Sequence, residues 1–401
     1  MDSLINDLNF DFSQLSKAAY ILSEKALRRN GEILKNVASE TGARIVLAQK
    51  AIAQPQLYPL FGEYLSGACA SGPWEAQLAR EYFPKDAHIL TCAPAYSEQD
   101  IETLLPISNH LDFNSVSQWK QFRERCLDFQ ASHPEQALQF GLRINPEHST
   151  GDNPLYDPCV AGSRLGATAD QVKSLSEDEL RGIEGLHFHT LCEQNSDDLE
   201  TTVQAVEEKF GWLLQKPEIQ YLNLGGGHWI TKPFYDVEKL KQVIQHLQKT
   251  YQLEVWLEPG EAVAIHTGVL VAQVLDLIPS EGATNAVLNI SATAHMPDVL
   301  EMPYRPDVMD VKGRMAKETG KHLYRLGGST CLASDVIGEY AFEEPLSVGD
   351  HLIFDDMAHY TMVKTTMFNG VQHPDIFLLQ EEGGLTKLKE FGFSDYLSQK
   401  V

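Results

Sequence analysis

The sequence lacks the long apolar runs of a membrane protein. No stretch approaches the ~20 consecutive apolar residues that a bilayer-spanning helix requires. Residues 1–9 include acidic side chains and lack the basic segment and apolar stretch of a secretory signal peptide. The six cysteines show no C-x-x-C pair and no zinc-finger spacing, which favours reduced thiols and predicts no metal site. These absences predict a soluble, cytoplasmic protein.

Basic residues are also scarce, with 32 Lys and Arg against 56 Asp and Glu and a net charge of −24. A negative field of this size repels nucleic acids and anionic membranes, so neither is expected as a partner. It favours cationic small molecules, although an acidic surface also serves solubility alone. A length of 401 residues with 43% hydrophobic residues predicts a large barrel with a smaller domain, or two domains.

Short apolar runs alternate with helical patterns over the first two-thirds of the chain. Amphipathic helices are predicted at 117–131, 197–215 and 237–250. The eight strand candidates are residues 44–48, 64–70, 88–92, 110–113, 139–144, 185–189, 219–224 and 253–258. Alternation of this kind implies parallel strands, and eight of them predict an α/β fold with a closed (β/α)8 barrel.

After Pro259-Gly260 the pattern changes to β segments with little helix between them. These segments are predicted at 263–277, 286–291, 322–326, 336–342 and 351–354. They indicate a second, mainly antiparallel β domain. Residues 13–41 read as helical, with 20–22 as an alternative strand of that domain. The predicted division is a barrel at 23–260 and a β domain from 1–22 and 261–401.

Four chemically distinctive features end the predicted barrel strands: Lys50, His189, Gly225–Gly227 and Glu258. The chemistry of such barrels gathers at the C-terminal ends of the strands. Around pyridoxal 5′-phosphate, an amine can bind the aldehyde and a carboxylate can keep the pyridine nitrogen protonated. A flat imidazole can stack on the ring, and glycine amides can bind the phosphate. Each feature alone also has an ordinary structural interpretation. Lys50 can be a solvated lysine, His189 a core histidine, the glycine triplet a flexible turn and Glu258 a turn residue.

The order of these residues, continued by Cys331 and Tyr360, resembles the fold-type III pyridoxal-phosphate decarboxylases, which have the alanine racemase/ornithine decarboxylase-like fold. Within that group the chain resembles the carboxynorspermidine (carboxyspermidine) decarboxylase family over residues 20–368. The segments that carry this likeness are 222–228, 258–262, 294–306 and 355–360, of which 294–306 is the most discriminating.

The resemblance implies a role for each matching residue. Lys50 is the covalent anchor of the cofactor, His189 stacks on its ring, Gly225, Gly226 and Gly227 hold its phosphate, and Glu258 pairs with the pyridine nitrogen. Cys331 donates a proton to the substrate carbanion, and Tyr360 reaches toward the phosphate. The family implies a homodimer with active sites at the interface, acting in polyamine (norspermidine or spermidine) biosynthesis.

Three residues depart from the ornithine decarboxylase pattern. Glu261 replaces a phosphate-binding arginine, Cys192 replaces a serine, and Leu332 replaces the aspartate after the catalytic cysteine. Because the phosphate thereby loses a cation and a hydroxyl, Arg143 is a candidate replacement.

The acids Glu261, Asp298 and Asp335 suit the amines of a polyamine precursor, although Asp298 can equally cap a turn. A diaminopimelate or other basic amino-acid decarboxylase remains an alternative, as does a non-catalytic homologue that binds the cofactor.

Overall fold

The computed structural model describes residues 10–151 and 153–401. The sequence prediction about residues 1–9 lies outside this part of the chain. The chain divides into a unit at residues 30–263 and a second unit that contains residues 264–401 and the described residues before Asn30. The predicted domain boundaries, at 22/23 and 260/261, lie near this division and stay a prediction.

The described residues form nineteen strands, numbered in chain order. They are β1 Ala19–Ser23, β2 Arg44–Ile45, β3 Leu47–Ala48, β4 Gly67–Ala70, β5 His88–Ala93, β6 His110–Phe113, β7 Gln139–Asn145, β8 Ala167–Thr168, β9 Gly185–His187, β10 Tyr221–Asn223, β11 Glu254–Leu257, β12 Gly268–Ile278, β13 Thr284–Leu288, β14 Val308–Asp310, β15 His322–Gly327, β16 Val336–Phe342, β17 His351–Phe354, β18 Asp375–Leu379 and β19 Leu385–Lys389.

The same residues form thirteen α-helices and several single 3₁₀ turns. The α-helices are α1 Glu24–Thr41, α2 Tyr58–Phe61, α3 Pro73–Tyr82, α4 Glu98–Leu104, α5 Val116–Ser132, α6 Ala169–Lys173, α7 Glu177–Leu180, α8 Ser196–Leu214, α9 Val237–Tyr251, α10 Glu261–Ala264, α11 Ala292–His295, α12 Asp298–Glu301 and α13 Phe393–Ser398.

The unit at residues 30–263 is the predicted parallel barrel. Its sheet runs in the order β2-β11-β10-β9-β7-β6-β5-β4-β3, with β8 added to β7. β2 and β3 are consecutive parts of one segment, and β2 pairs with β11 while β3 pairs with β4. The two ends of the sheet therefore meet in one chain segment. The eight predicted strands are confirmed, and the first is divided at Val46, whose N–H donates to the Leu257 carbonyl.

Burial explains why these strands read as short apolar runs. All residues of β6 and β9 are buried, as expected for parallel strands that are covered on both faces. Side chains from several strands fill the barrel interior around Trp256 and Tyr221.

The helices between strands start at identifiable caps. For example, Ser97 and Asp100 form a reciprocal capping box at α4.

The second unit is a mixed, mostly antiparallel sheet, in the order β16-β15-β13-β12-β1-β18-β19, with β14 and β17 joined to it. Its pairings are antiparallel except for β1–β18 and β13–β15. The prediction of a mainly antiparallel β domain is confirmed.

Two local predictions were wrong. Residues 13–41 are not one helix, because residues 19–23 form β1 between β12 and β18 and α1 starts only at Glu24. The alternative strand at 20–22 is therefore confirmed. Residue 263 does not start a strand, because α10 occupies Glu261–Ala264.

Among the described residues, no helix is long and apolar enough to cross a bilayer. The six cysteines are free thiols.

Candidate active site

The barrel places the predicted site residues where its strands end. Lys50 lies two residues after β3, His189 two residues after β9, and Glu258 directly after β11. Gly225–Gly227 follow β10, and Arg143 lies within β7 near its C-terminal end. Since parallel strands in a barrel all end at one rim, residues that are far apart in the sequence converge there.

Lys50 and His189 are direct neighbours at this rim. Lys50 Nζ lies 3.3 Å from His189 Nε2. The backbone N–H of Gly226 points to Nδ1 of the same imidazole at 3.3 Å. Burial and the nearby Lys50 ammonium lower the pKa of His189 to about 3. The imidazole is therefore neutral at physiological pH.

Glu258 is a buried carboxylate with one amide donor and two histidines beside it. Asn223 Nδ2 donates to Oε1 at 2.7 Å, and Oε2 lies 3.6 Å from His187 Nε2 and 3.9 Å from His189 Nδ1. Burial by itself raises the pKa of a carboxyl group, but the two histidines and Asn223 outweigh it and hold the pKa of Glu258 well below its usual range. Glu258 is thus a buried but ionised group.

The three glycines allow the chain to pass close beneath these side chains. Gly225 and Gly227 have φ angles of +69° and +85°, in the left-handed region that favours glycine. A Cβ on Gly226 would lie 2.3 Å from the Glu258 carbonyl oxygen. The Gly225 N–H donates to Asn223 Oδ1 and the Gly226 N–H to His189, so two of the three amides already have partners. The glycines therefore allow the backbone to approach Glu258 and His189 closely. Their contact with a phosphate stays a prediction.

A cavity of about 260 Å³ joins these groups. Lys50, His189, Glu258 and Arg143 all line it, and Arg143 also donates to the His189 carbonyl at 3.2 Å. Nine further residues that line the cavity were not predicted from the sequence as part of the site, namely Cys69, Ala70, Ser71, Cys92, Tyr156, Pro158, Leu165, His187 and Leu191. Only His187 had a local signal, because it shares a strand face with His189 two residues later.

Glu261, predicted to bind a substrate amine, is engaged by other residues of the barrel unit. Its Oε1 accepts a hydrogen bond from Trp229 Nε1 at 3.0 Å and lies 3.6 Å from Lys232 Nζ. The Lys232 ammonium also lies 3.5 Å from the centre of the Trp229 ring. The negative charge that motivated the prediction is therefore compensated within the protein, and Lys232 supplies a cation close to the position of the missing arginine.

Asp298 and Asp335, the other two predicted amine ligands, lie in the β unit. Asp298 pairs with Lys364, which also contacts Glu301 at 3.1 Å. Asp335 is buried and accepts four hydrogen bonds, listed by donor as Ala292 N, Thr293 N, Thr330 N and Thr330 Oγ1. These bonds use the lone pairs of both oxygens, so the Asp335 carboxylate holds two loops of the β unit together.

Cys331 and Tyr360 also belong to the β unit. Cys331 is exposed, in the loop that the Thr330–Asp335 bonds fix. Tyr360 has a φ of +52° and the nearby Asp356 a φ of +55°. Such backbone conformations are unfavourable for residues other than glycine and concentrate at functional sites. The Asp356 carboxylate stabilises this turn, since it accepts the His266 N–H at 2.7 Å and lies 3.4 Å from His359 Nε2.

The cavity has the groups that pyridoxal phosphate requires at its aldehyde and ring. Lys50 provides an exposed amine, His189 a flat and uncharged imidazole, and Glu258 an ionised carboxylate for a protonated ring nitrogen. For a phosphate, the Arg143 guanidinium lines the cavity, and the turn at Gly225–Gly227 lies at the same rim. The residues present therefore fit this cofactor.

Comparison with known proteins decides the family. Residues 19–358 match the family described as pyridoxal-dependent decarboxylase, C-terminal sheet domain. The chain belongs to this family. The decarboxylase is 44% identical to the carboxyaminopropylagmatine decarboxylase of Synechocystis sp. over 96% of this chain and 95% of the relative. It is 41% identical to the carboxynorspermidine/carboxyspermidine decarboxylase of Campylobacter jejuni, over 96% of this chain and 98% of that protein.

A solved structure supports the same assignment. The crystal structure of carboxynorspermidine decarboxylase from Campylobacter jejuni, complexed with norspermidine, matches this chain with a TM-score of 0.85 and 39% identity. The match covers 96% of this chain and all of the other. The predicted family, fold and decarboxylase class are therefore confirmed.

Proposed function

We propose that the decarboxylase removes the α-carboxylate of carboxynorspermidine or carboxyspermidine, with pyridoxal phosphate anchored on Lys50. The observation that carries this proposal is that Lys50 and Glu258 line one cavity, with His189 in contact with the amine. The named relatives supply the substrate class, since one acts on carboxynorspermidine and carboxyspermidine and a related structure binds norspermidine.

Bound pyridoxal phosphate supplies a ring that accepts the electron pair released when CO2 leaves. Lys50 would hold the cofactor through its side-chain amine. The ionised Glu258 carboxylate would keep a proton on the ring nitrogen. The neutral His189 imidazole would stack on the ring without adding charge. Cys331 Sγ then delivers a proton to the substrate Cα, as the family resemblance implies.

A second substrate is favoured by one comparison. The Synechocystis relative, at 44% identity, is named for carboxyaminopropylagmatine. This substrate class shares an α-amino acid head with the carboxy-triamines and differs at the tail, which ends in a guanidinium instead of an amine. Glu261 and Asp298 each lie beside a lysine, and Asp335 accepts hydrogen bonds from backbone N–H groups. These acids therefore give no basis for preferring an amine tail over a guanidinium tail.

Product detection by mass spectrometry, with carboxynorspermidine, carboxyspermidine, carboxyaminopropylagmatine and diaminopimelate offered separately, tests the proposal. We expect CO2 release and a triamine product from the first two. Preferred turnover of carboxyaminopropylagmatine would assign the second substrate, and turnover of diaminopimelate alone would overturn the proposal. Release of CO2 from none of them by cofactor-loaded protein would favour a non-catalytic homologue.

We also propose that the decarboxylase works in the cytoplasm as a homodimer, with Cys331 completing the site of the partner subunit. The support is the resemblance to fold-type III decarboxylases, which implies composite sites.

A further inference from the structure

Three buried side chains extend from Glu258 into the barrel interior. Tyr221 Oη donates to Asp112 Oδ1 at 2.6 Å. Asp112 Oδ2 lies 3.1 Å from His187 Nδ1, and His187 Nε2 lies 3.6 Å from Glu258 Oε2. We call Tyr221, Asp112 and His187 the inner chain. It connects strands β10, β6 and β9 to the carboxylate that follows β11.

Burial makes the charges of the inner chain interdependent. The side chains of His187 and Asp112 are each 2% exposed, and that of Glu258 is 6% exposed. In such surroundings an isolated carboxylate tends to gain a proton, and an isolated imidazole tends to lose one. A cation between two anions avoids both outcomes, because each charge offsets the desolvation of its neighbour.

The surroundings of His187 favour the cation. The titratable groups around it are Asp112 of β6, Glu258 after β11, Cys92 of β5 and the neutral His189, and the Asp112 and Glu258 carboxylates favour a positive imidazole. Burial alone lowers the pKa of His187, but these groups outweigh it and raise the pKa to about 10. Among the described residues neither ring nitrogen has a partner that meets hydrogen-bond geometry. The polar groups beside them are the two carboxylates, Asp112 Oδ2 at 3.1 Å from Nδ1 and Glu258 Oε2 at 3.6 Å from Nε2.

We propose that His187 is a positioning residue, a buried imidazolium held between Asp112 and Glu258 that keeps Glu258 ionised and oriented for the ring nitrogen of the cofactor. Asp112, supported by the Tyr221 hydroxyl, maintains the charge of His187. Asp112, His187 and Glu258 together carry one net negative charge, which a protonated ring nitrogen neutralises. This inference rests on the proposed function for its consequence, but the charge of His187 can be measured without any cofactor.

The first test is ¹⁵N NMR of histidine-labelled protein, cofactor-free and holoenzyme, with the His187 signals assigned through His187→Gln. We expect both nitrogens of His187 to remain protonated at about pH 8, where a free imidazole is neutral. In Asp112→Asn the same imidazole should be neutral at that pH. A neutral His187 in the wild-type protein would overturn the proposal, whether or not the protein binds pyridoxal phosphate.

The second test is the dissociation constant of pyridoxal phosphate between about pH 6 and pH 8, measured for wild type, His187→Gln and Asp112→Asn. Without the cation, burial raises the pKa of Glu258, so a growing share of Glu258 is protonated as the pH falls. Each variant should therefore bind about tenfold more weakly than wild type at pH 6, with a smaller difference at pH 8. Protonation of the cofactor's own groups affects every variant equally, so it cancels when the dissociation constant of a variant is divided by that of the wild type at the same pH.

The matched control is His88→Gln, another barrel histidine, which contacts Arg44 at 3.1 Å and does not contact Glu258. It should follow the pH dependence of the wild type. Equal weakening by His88→Gln and His187→Gln would overturn the proposal, since it would show a general loss of packing. If His187→Gln does not fold, the same pH dependence of cofactor binding is measured with Asp112→Asn and Tyr221→Phe. Wild-type protein that binds no cofactor would overturn the proposed function while leaving the NMR result interpretable.

Discussion

The Nζ of Lys50 lies 3.3 Å from Nε2 of His189, although 139 positions separate the two residues in the chain. This contact joins the end of the first barrel strand to the end of the sixth. It places a primary amine at the edge of a neutral imidazole, inside the cavity that Glu258 also lines. The predictions below concern this cavity and the residues that support it.

Replacement of Lys50 should abolish covalent attachment of the cofactor. In Lys50→Ala the amine that binds the aldehyde is gone, and in Lys50→Arg the charge remains but the guanidinium is a poor nucleophile. We expect both variants to lose the visible absorption of the bound cofactor and the mass increase after borohydride reduction. Lys173→Ala, at an exposed position of α6, is the control. Retention of the mass increase in Lys50→Ala would refute the anchor.

Glu258→Gln should lower kcat by about 10²–10³-fold, since a preorganised charge opposite the ring nitrogen is lost. The Asn223 hydrogen bond can be retained by the amide, so the fold should survive. Steady-state kinetics with thermal denaturation separates the two effects. An unchanged kcat in a folded, cofactor-loaded variant would contradict the assigned role.

Gly226→Ala should disturb the rim, because the new Cβ would lie 2.3 Å from the Glu258 carbonyl oxygen. We expect a loss of about 1–3 kcal/mol in the free energy of unfolding, together with weaker cofactor binding. Chemical denaturation and cofactor titration measure these effects. The control is Gly72→Ala, which has extended backbone and open space within 4 Å of the new Cβ. Similar behaviour of the two variants would argue against the steric explanation.

Glu261→Gln should affect stability more than substrate affinity. The substitution removes the charge that compensates Lys232, a partly buried ammonium with 16% side-chain exposure. We expect a loss of about 1–3 kcal/mol in unfolding free energy and a small change in KM. In the double variant Glu261→Gln/Lys232→Met much of that stability should return, because no uncompensated charge remains. A large rise in KM at unchanged stability would instead restore the predicted contact with a substrate amine.

Mixing two inactive variants tests the composite site. If Cys331 completes the site of a partner subunit, Lys50→Ala and Cys331→Ala should each be inactive alone and regain about a quarter of wild-type activity after subunit exchange, because one intact site forms in each mixed dimer. Cys159→Ala, in the barrel unit, is the control thiol. Failure to recover activity in a dimer shown to exchange subunits would place the proton donor elsewhere.

The sequence alone predicted the eight strands of the barrel and three residues of its rim. The strands at 110–113, 336–342 and 351–354 match the structure residue for residue, because each is a short segment with apolar residues that is flanked by turn-forming residues. Lys50, His189 and Glu258 were identifiable because parallel barrel strands all end at one rim, so position along a strand predicts position in space.

Only the tertiary structure decided which charges have partners. The sequence predicted Glu261, Asp298 and Asp335 as ligands of substrate amines, with a turn cap as the alternative for Asp298, yet Lys232, Lys364 and a set of backbone N–H groups engage them. His187 was not identified as a site residue from the sequence, yet it lies between two buried carboxylates. The physical reason is that the ionisation of a buried group depends on neighbours a few ångströms away, and those neighbours come from distant parts of the chain.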